Sequence, residues 1–586
     1  MSTGTVISLL GMVAVVAGSA GINFFGAAAA RSTSDFLVAS RTLGPATNAA
    51  AISGEYLSAA SFLGVAGLVM RDGADALWYP VGFTAGYLAL LLFVAAPLRR
   101  SGAYTVPDFA ELRLRSQPLR RVCTLVTIVL GWLFMLPQLQ GAALTVATIS
   151  NLPSWSGAAA ASVVVLATVL FGGLRSMTLV QAFQYFLKLA ALAVPTVVLA
   201  LHFAGTHPGL TRPTTSEFTA TTTLDIRAAV ALQIGAPVEF TATGELDGAQ
   251  RAGAVRWEPG THTVSAGSSL SFPAGTPIPL PVGVAPTDSG WLNPLSGSRQ
   301  YPLVATYSLI MALVLGTMGL PSVLARFYSN PDGHATRRTA VIALALVGGF
   351  YLLPIALGVL SRFYTPQLLL TGQSDAAVLL LPAAALGSGW AMDLLTGLIT
   401  AGAWAAFLSA ATGLAVSVAG VIHTDVLRRG RAHDFRLAAL IATAVPLGAA
   451  LLVTRLELTE TVALAFAVAA STFCPLLVLG IWWRGLTAPG AIAGILTGAA
   501  LSITAAAAVL AGLGHTPGLG DVLSRPAIIS APAAFLTMIV VSRLTARRSP
   551  TDAEQLLLQL HAPERLGLTP PHVPEAPDTA TRTPPG

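Results

Sequence analysis

Long apolar runs separated by short polar segments repeat along nearly the whole chain. A helix needs about 20 mostly apolar residues to cross a bilayer, and windows of that length predict thirteen spans. They cover residues 5–26, 46–70, 77–98, 122–149, 156–173, 178–203, 301–323, 339–361, 392–421, 436–455, 461–482, 489–512 and 527–542. The pattern therefore predicts an all-α polytopic membrane protein with about 13 transmembrane helices.

Two segments break this pattern. Residues 206–300 are rich in Thr, Pro and Gly and alternate between polar and apolar at 237–242 and 261–264. Alternation favours a small β-rich extracytoplasmic insertion, but a disordered loop is the alternative, because the segment is short of aromatic residues for a core. Residues 549–586 contain a short helical pattern at 554–560 and then a proline-rich stretch, which predicts a disordered tail.

Composition and charge agree with a membrane protein. Of 586 residues, 54% are hydrophobic and 10% are charged, whereas soluble domains have about 25% charged residues. All but one of the 32 basic residues are arginines, and they concentrate in the loops after the odd-numbered spans. By the positive-inside rule this predicts an outside N-terminus and a cytoplasmic C-terminus, without nucleic-acid binding. Cys123 and Cys474 lie in or beside apolar spans and are interpreted as packing residues.

The second span is interrupted by polar groups. Residues 52–64 carry one carboxylate, one phenol and three serine hydroxyls together with two glycines. Such groups at membrane depth are typical of solute and ion sites in secondary transporters. The alternative is an ordinary span whose serines bond to carbonyls of the preceding turn. A second flexible, hydroxyl-bearing stretch at 316–322 opens spans 7–11 as the first opens spans 2–6. Paired interruptions predict two inverted repeats, although Gly and Pro are common in membrane helices in general.

Five sequence strings resemble the sodium/solute symporter family, and within it the acetate and short-chain monocarboxylate permease branch. In chain order they are residues 54–64, 98–109, 171–181, 316–327 and 464–475. The resemblance implies a leucine-transporter-type fold with inverted repeats at spans 2–6 and 7–11. It divides the chain into a first helix and repeat (1–205), the insertion (206–300), a second repeat (301–485), two C-terminal helices (486–548) and the tail (549–586). It also implies a bacterial plasma (inner) membrane, with the insertion lying outside the common family core.

The resemblance also implies a sodium site beside the interrupted span. Carried over residue by residue, its ligands would be the carbonyls of Gly54, Leu57 and Ala406 and the hydroxyls of Ser409 and Thr412. The chain departs from the sodium-coupled pattern at two places. Ala410 stands where those relatives have a second adjacent hydroxyl, and Thr178 stands where they have an aspartate. Na⁺ and H⁺ both remain candidates for the coupling cation, and no other cofactor is predicted.

Two ionisable residues at membrane depth could take part. Glu55 is a candidate proton carrier if it faces the cavity; otherwise it is a structural carboxylate bonded to amides freed by the helix break. Lys188, the single lysine, could neutralise an anionic substrate or pair with Glu55. The more common behaviour of such a lysine is to snorkel to an interface or to make a structural pair.

For the substrate, the interrupted spans offer hydrogen-bonding side chains at Tyr56, Ser58, Ser61 and Thr317 and apolar walls at Phe62 and Met318. The predicted function is import of acetate, propionate or pyruvate by cation symport and alternating access. The alternatives are a family symporter for proline, pantothenate or a sugar, and a transporter-derived receptor. No enzyme motif is found at membrane depth. The expected partners are the lipid bilayer and the small solute, with the chain as a monomer or weak homo-oligomer.

Overall fold

The computed structural model describes residues 3–562 apart from the gaps 29–43, 104, 151, 173, 207–217, 219–220, 227–229, 283, 285–287, 296–300, 328–332, 372, 428–431, 453–457, 511–512, 514–517 and 549–552. The tail that is predicted to be disordered lies outside the described residues beyond position 562.

The described part of the chain is mostly helical, and twelve helical stretches in it are long and apolar enough to cross a membrane. This confirms the predicted class. The helices are α1 Thr3–Ala28, α2 Pro45–Tyr56, α3 Val65–Asp72, α4 Trp78–Leu90, α5 Ala96–Arg100, α6 Val106–Leu114, α7 Gln117–Ile149, α8 Ser154–Phe171, α9 Leu174–Thr206, α10 Asp288–Leu292, α11 Pro302–Gly319, α12 Pro321–Phe327, α13 Gly333–Tyr364, α14 Leu368–Thr371, α15 Ala377–Leu386, α16 Trp390–Val421, α17 Ala432–Leu452, α18 Leu458–Trp482, α19 Ala488–Leu510, α20 Leu519–Leu523, α21 Ala527–Leu544 and α22 Ala553–His561.

One of the twelve stretches, Ala60–Arg100, covers parts of two predicted spans. It passes through a short 3₁₀ segment at Gly73–Leu77, where Gly73 has φ 57°. The rings of Tyr56 and Tyr87 have centroids only 4.5 Å apart, whereas a continuous helix would separate these positions by about 46 Å. The chain therefore reverses near Gly73, as predicted spans 46–70 and 77–98 require.

Both predicted interruptions occur as breaks in the helices. The first follows Tyr56, because Leu57 leaves helical geometry with φ −75° and ψ 87°; a π-helical turn at Ala60–Gly64 then leads into α3. The break leaves the Ala59 amide without a helical acceptor, and this amide donates instead to the Gln138 side-chain carbonyl at 2.9 Å. The second break lies at Leu320, with φ −79° and ψ 114°, between α11 and α12.

The helices around these breaks pack through small residues. α11 lies against α18 and α4, while α9 lies against α2 and α16. A Cβ added at Gly319 would come within 2.6 Å of the Ala469 carbonyl oxygen. Such close backbone approach is how membrane helices gain packing contacts, since lipid supplies no hydrophobic force between them.

The insertion between α9 and α11 contains a seven-stranded sheet in the order β1-β6-β3-β5-β2-β7, with β4 paired to β3, and every described pair is antiparallel. Its strands are β1 Thr222–Ile226, β2 Val230–Ile234, β3 Val238–Leu246, β4 Ala249–Trp257, β5 Gly260–Val264, β6 Ser268–Phe272 and β7 Leu280–Pro281. The argument for a disordered loop, that the segment has too few aromatic residues for a core, is wrong. The few that are present converge, because the rings of Phe218 and Phe240 both stack on Phe272.

A pair formed by His262 and Asp247 fastens the turn between β3 and β4 to β5. His262 Nδ1 lies 2.8 Å from Asp247 Oδ2 and Nε2 lies 2.9 Å from the Glu258 carbonyl oxygen, so both nitrogens face acceptors. Partial burial disfavours both charges, but the hydrogen bonds outweigh it. They raise the pKa of His262 above its ordinary value and hold the pKa of Asp247 below its own. The pair is therefore most stable when both side chains are charged.

The sheet is anchored on the helices at the end where α3 reverses into α4. Leu370 of α14 is part of the buried sheet core. Trp291 Nε1 lies 3.0 Å from the Val69 carbonyl oxygen and 3.2 Å from that of Met70, at the end of α3. The Arg362 guanidinium lies 5.8 Å from the centroid of the Trp291 ring. The insertion thus contacts α3, the second half of the first interrupted helix, directly.

The opposite end of the bundle carries an ion-pair cluster. Asp425, which follows α16, accepts hydrogen bonds at 2.6 Å from both Arg120 and Thr124 of α7. Arg120 also pairs with Asp108 of α6 at 2.8 Å. The side chain of Asp425 is only 4% exposed and that of Arg120 is 22% exposed, so the cluster ties α6, α7 and α16 together at a partly buried position.

Candidate functional site

The two interrupted helices meet through a hydroxyl pair. Tyr56 Oη, at the end of α2, lies 2.9 Å from Thr317 Oγ1, three residues before the break after α11. The Thr317 hydroxyl also donates to the Leu313 carbonyl at 2.7 Å. Gly86 makes this approach possible, because a Cβ there would come within 2.8 Å of the Thr317 Cβ. Two predicted substrate residues, 261 positions apart, are therefore in contact.

Of the other predicted substrate residues, Ser58, Ser61 and Phe62 follow the first break and Met318 precedes the second. Ser61 Oγ lies 2.9 Å from Tyr351 Oη of α13. Ser58, Phe62 and Met318 are 2%, 0% and 4% exposed. Phe62 occupies space left by Gly402 of α16, where an added Cβ would lie 2.9 Å from its ring. An aromatic wall surrounds Tyr56 and consists of Phe83, Tyr87 and Phe466.

The predicted cation ligands also come together. Ser409 Oγ lies 2.7 Å from the Gly54 carbonyl oxygen and 3.1 Å from that of Ala406. Thr412, one turn further along α16, is 5% exposed. Carbonyls at the end of α2 carry the negative end of its dipole, so the group of oxygens is suited to a cation.

The side chain of Lys188 reaches this group of oxygens. Its Nζ donates to the carbonyl oxygen of Gly54, to that of Leu57 at 2.8 Å, and to Ser409 Oγ at 3.0 Å. Lys188 is 0% exposed, so the snorkelling alternative is wrong. An ammonium has three N–H donors, and all three have acceptors here.

Glu55 lies beside the same site. Gln181 Nε2 donates to Glu55 Oε2 at 3.3 Å and to the Ser409 carbonyl at 3.0 Å. Gly413 of α16 leaves the space for the carboxyl group, because a Cβ there would overlap it. Glu55 is thus linked through Gln181 to Ser409, the residue whose hydroxyl Lys188 contacts.

A close helix contact sets the position of Lys188. A Cβ added at Gly54 would come within 3.1 Å of the Gln181 carbonyl carbon, closer still to its oxygen, and within 3.4 Å of the Tyr185 Cβ. Gln181, Tyr185 and Lys188 are spaced along one face of α9. Gly54 therefore lets α9 approach α2 closely enough for the lysine to reach the break.

Sequence reasoning left three residues of this site unassigned. Gln138 and Tyr351, on α7 and α13, are the partners of Ala59 and Ser61, and nothing in their local sequence marks them. Lys188 was noticed as the single lysine, but its contacts with Gly54, Leu57 and Ser409 were not expected. A lone lysine in the middle of a span was the available signal.

Comparisons with known proteins match this architecture. The family model described as "Sodium:solute symporter family" matches residues 36–243 and 282–498 and skips the middle of the sheet insertion. An uncharacterized symporter of Bacillus subtilis is 29% identical over 531 residues, 88% of this chain and 90% of that protein. A monocarboxylic acid transporter of Corynebacterium glutamicum is 29% identical over 528 residues, 86% of this chain and 85% of that protein.

The fold is similar to a solved structure, a sodium-coupled sialic acid symporter in a substrate-bound, outward-open state. That structure has a TM-score of 0.59 with 12% sequence identity and covers 92% of this chain and 98% of its own. At this identity the likeness concerns the fold, which is of the leucine-transporter type. The family consists of transporters, so the protein is a multi-pass, cation-coupled symporter of a small solute and not an enzyme. The family model covers well over half of the chain, which therefore belongs to the sodium:solute symporter family.

Proposed function

We propose that this protein imports a small monocarboxylate, namely acetate, propionate or pyruvate, together with a cation by alternating access. The membrane would be a bacterial plasma membrane, with the N-terminus outside and the C-terminus in the cytoplasm. The substrate class is supported by the relative named as a monocarboxylic acid transporter, which aligns over most of both chains. The orientation is supported by the arginines in the loops after odd-numbered spans.

The hydroxyl pair between the interrupted helices is the observation that carries the proposal. Tyr56 Oη and Thr317 Oγ1 are 2.9 Å apart and satisfy each other when no solute lies between them. A carboxylate that entered between them would accept a charge-assisted hydrogen bond from each, and such bonds are about twice as strong as neutral ones. Solute binding would then replace two neutral bonds, Tyr56 to Thr317 and Thr317 to the Leu313 carbonyl, by two charge-assisted ones and link the two repeats.

The surroundings of Tyr56 favour a small solute. Its ring packs edge-on against Phe83, Tyr87 and Phe466, with centroid separations between 4.5 and 6.3 Å. These rings offer apolar contact for one short alkyl group and few polar groups for a sugar's hydroxyls. A two- or three-carbon acid suits this enclosure better than a larger polar solute.

Radiolabelled acetate exchange in proteoliposomes tests the proposal. Wild-type protein should exchange internal for external acetate, and unlabelled propionate and pyruvate should compete while proline and glucose should not. Tyr56→Phe removes one carboxylate donor, so the KM for acetate should rise about tenfold, which corresponds to about 1.4 kcal/mol. Tyr307→Phe is the matched control, since Tyr307 is 59% exposed and should behave as wild type.

Two results would overturn the assignment. If the wild-type protein exchanges proline or a sugar but no monocarboxylate, another solute of the family is carried. If Tyr56→Phe and Tyr307→Phe have the same KM as wild type, the hydroxyl pair does not bind the carboxylate.

A further inference from the structure

We propose that the Lys188 ammonium is a built-in cation that occupies the position at which sodium-coupled members of this fold would hold an ion, so that this symporter works without sodium. The inference rests on the proposed cation symport and concerns which cation drives it. It is carried by the contacts of Lys188 with three of the five oxygens that the resemblance assigned to sodium.

The oxygens around Nζ are those of a cation site and not of an incidental lysine contact. Two are backbone carbonyls at the break, from Gly54 and Leu57, and the third is the Ser409 hydroxyl on α16. Gly54 and Ser409 are 355 positions apart and come from different repeats. Neutral oxygens that converge from an unwound helix and a second helix are what such transporters use to hold a coupling ion.

The ammonium leaves no room for sodium. With three acceptors for its three N–H groups, Nζ uses one lone pair on each of these oxygens, and the Ser409 hydroxyl uses the second one on the Gly54 carbonyl. A sodium ion in contact with the same oxygens would lie within about 4 Å of Nζ, where two positive charges repel by about 4 kcal/mol at the effective dielectric constant of protein sites. The two cations therefore compete for one position.

The lysine is stabilised in this position. Its side chain is fully buried, and a buried charge persists only when it is paired and hydrogen-bonded. The three acceptors supply the hydrogen bonds, and the Glu55 carboxyl group lies beside the site, where Gln181 Nε2 donates both to it and to the Ser409 carbonyl. The close contact of α9 with Gly54 holds the backbone from which the lysine extends. These features are those of a fixed component of the site.

Thermal unfolding of the purified wild-type protein tests the inference without any solute. We expect NaCl to give no shift in the unfolding temperature beyond that of choline chloride at equal ionic strength, because a ligand stabilises only the state that binds it. A sodium-specific upward shift in the wild type would overturn the proposal.

Substitution of the lysine should open the site. Lys188→Ala is expected to gain a sodium-specific upward shift, whereas Lys188→Arg keeps a cation at the end of the side chain and should stay indifferent. A folded Lys188→Ala protein that remains indifferent to sodium would overturn the proposal, because the position would then not be a cation site. If Lys188→Ala does not fold, the comparison of NaCl with choline chloride on the wild-type protein still tests the proposal.

Acetate exchange distinguishes failure of this inference from failure of the proposed function. Wild-type exchange should be equal in sodium and choline buffers, since coupling between two bound ligands changes affinity by about 5- to 150-fold and none is expected here. Exchange that needs sodium would overturn the inference and leave the monocarboxylate assignment intact. Absence of acetate exchange in both buffers would overturn the monocarboxylate assignment, while the thermal comparison would still decide the question of sodium.

Discussion

Replacement of Gly54 by alanine is expected to displace Lys188 from the break. The new methyl group would lie 3.1 Å from the Gln181 carbonyl carbon and closer to its oxygen, whereas nonbonded carbons prefer about 3.5–4.0 Å. Relief of this overlap requires α9 to move away from α2 by about 1 Å. Lys188 lies two turns along α9 and would move with it.

The size of the effect follows from two distances. The Lys188 bonds to the Leu57 carbonyl and to Ser409 Oγ are 2.8 and 3.0 Å long, so a shift of about 1 Å takes both beyond hydrogen-bonding range. Overpacking costs about 1–3 kcal/mol, and each lost bond to a charged group costs about 1.5–3 kcal/mol. Overpacking and the loss of both bonds together thus lower the free energy of unfolding by roughly 4–9 kcal/mol, more than the ~1 kcal/mol that alanine gains in helix propensity.

Unfolding of Gly54→Ala by dodecyl sulfate in mixed micelles, followed by circular dichroism, measures this change. Gly349→Ala is the matched control, because nothing lies within 4 Å of a Cβ at that helical position and the substitution should be neutral or stabilising. If the two variants unfold within about 1 kcal/mol of each other, α9 relaxes without disturbing Lys188. The argument that Gly54 sets the lysine position would then be refuted.

Three further predictions concern other parts of the structure. Gly413→Ala places a methyl group against the buried carboxyl group of Glu55. The free energy of unfolding should therefore fall by about 1–3 kcal/mol, and the rate of acetate exchange should fall with it. Asp425→Asn removes the negative charge that Arg120 contacts at 2.6 Å; because Arg120 is partly exposed, a loss of about 1–3 kcal/mol is expected in the same unfolding assay. The charged pair of His262 and Asp247 should make the sheet pH-dependent. The raised pKa of His262 gives stability that is full below its ordinary value of 6.5 and is lost as pH rises through the folded pKa. The lowered pKa of Asp247 gives stability that is present above 3.8 and is lost as pH falls through the folded pKa. Amide hydrogen exchange in the sheet, corrected for intrinsic pH dependence, should therefore be slowest between pH 3.8 and 6.5.

Each of these predictions has a control. Gly420→Ala is on the same helix as Gly413 and has nothing within 4 Å of its Cβ, so equal effects of the two changes would contradict the overlap argument. Glu554→Gln breaks an exposed ion pair and should leave stability unchanged; an equal loss for Asp425→Asn and Glu554→Gln would mean that burial is irrelevant. His262→Gln should abolish the slowing of exchange that the wild type shows as pH falls to 6.5. If the variant still shows this slowing, the histidine is not its cause.

Much of the fold follows from local sequence. Apolar runs of about 20 residues determine the spans, because only helices satisfy their backbone groups in lipid. The break after Tyr56 also follows, since glycines and hydroxyls there weaken the helix in a place where the chain is otherwise apolar. The adjacency of Gly54, Leu57 and Ser409 was implied by resemblance to a family and not by any local pattern.

The sheet insertion lies at the limit of sequence reasoning. Its alternating stretches indicated strands, but they did not show that Phe218, Phe240 and Phe272 would gather in one core. Strand order is set by long-range pairing, for which the sequence of each strand carries little information.

Local sequence is enough to predict a helical membrane protein with two interrupted helices, because those features depend on stretches of about 10 to 25 residues. Which side chain meets the oxygens at the first break depends on the packing of the bundle. Lys188 is 131 positions from Leu57 and 221 from Ser409, and from its own span it could equally have reached an interface. Its location depends on the contact between α9 and Gly54 and on the length of its side chain, and that contact exists only in the packed bundle.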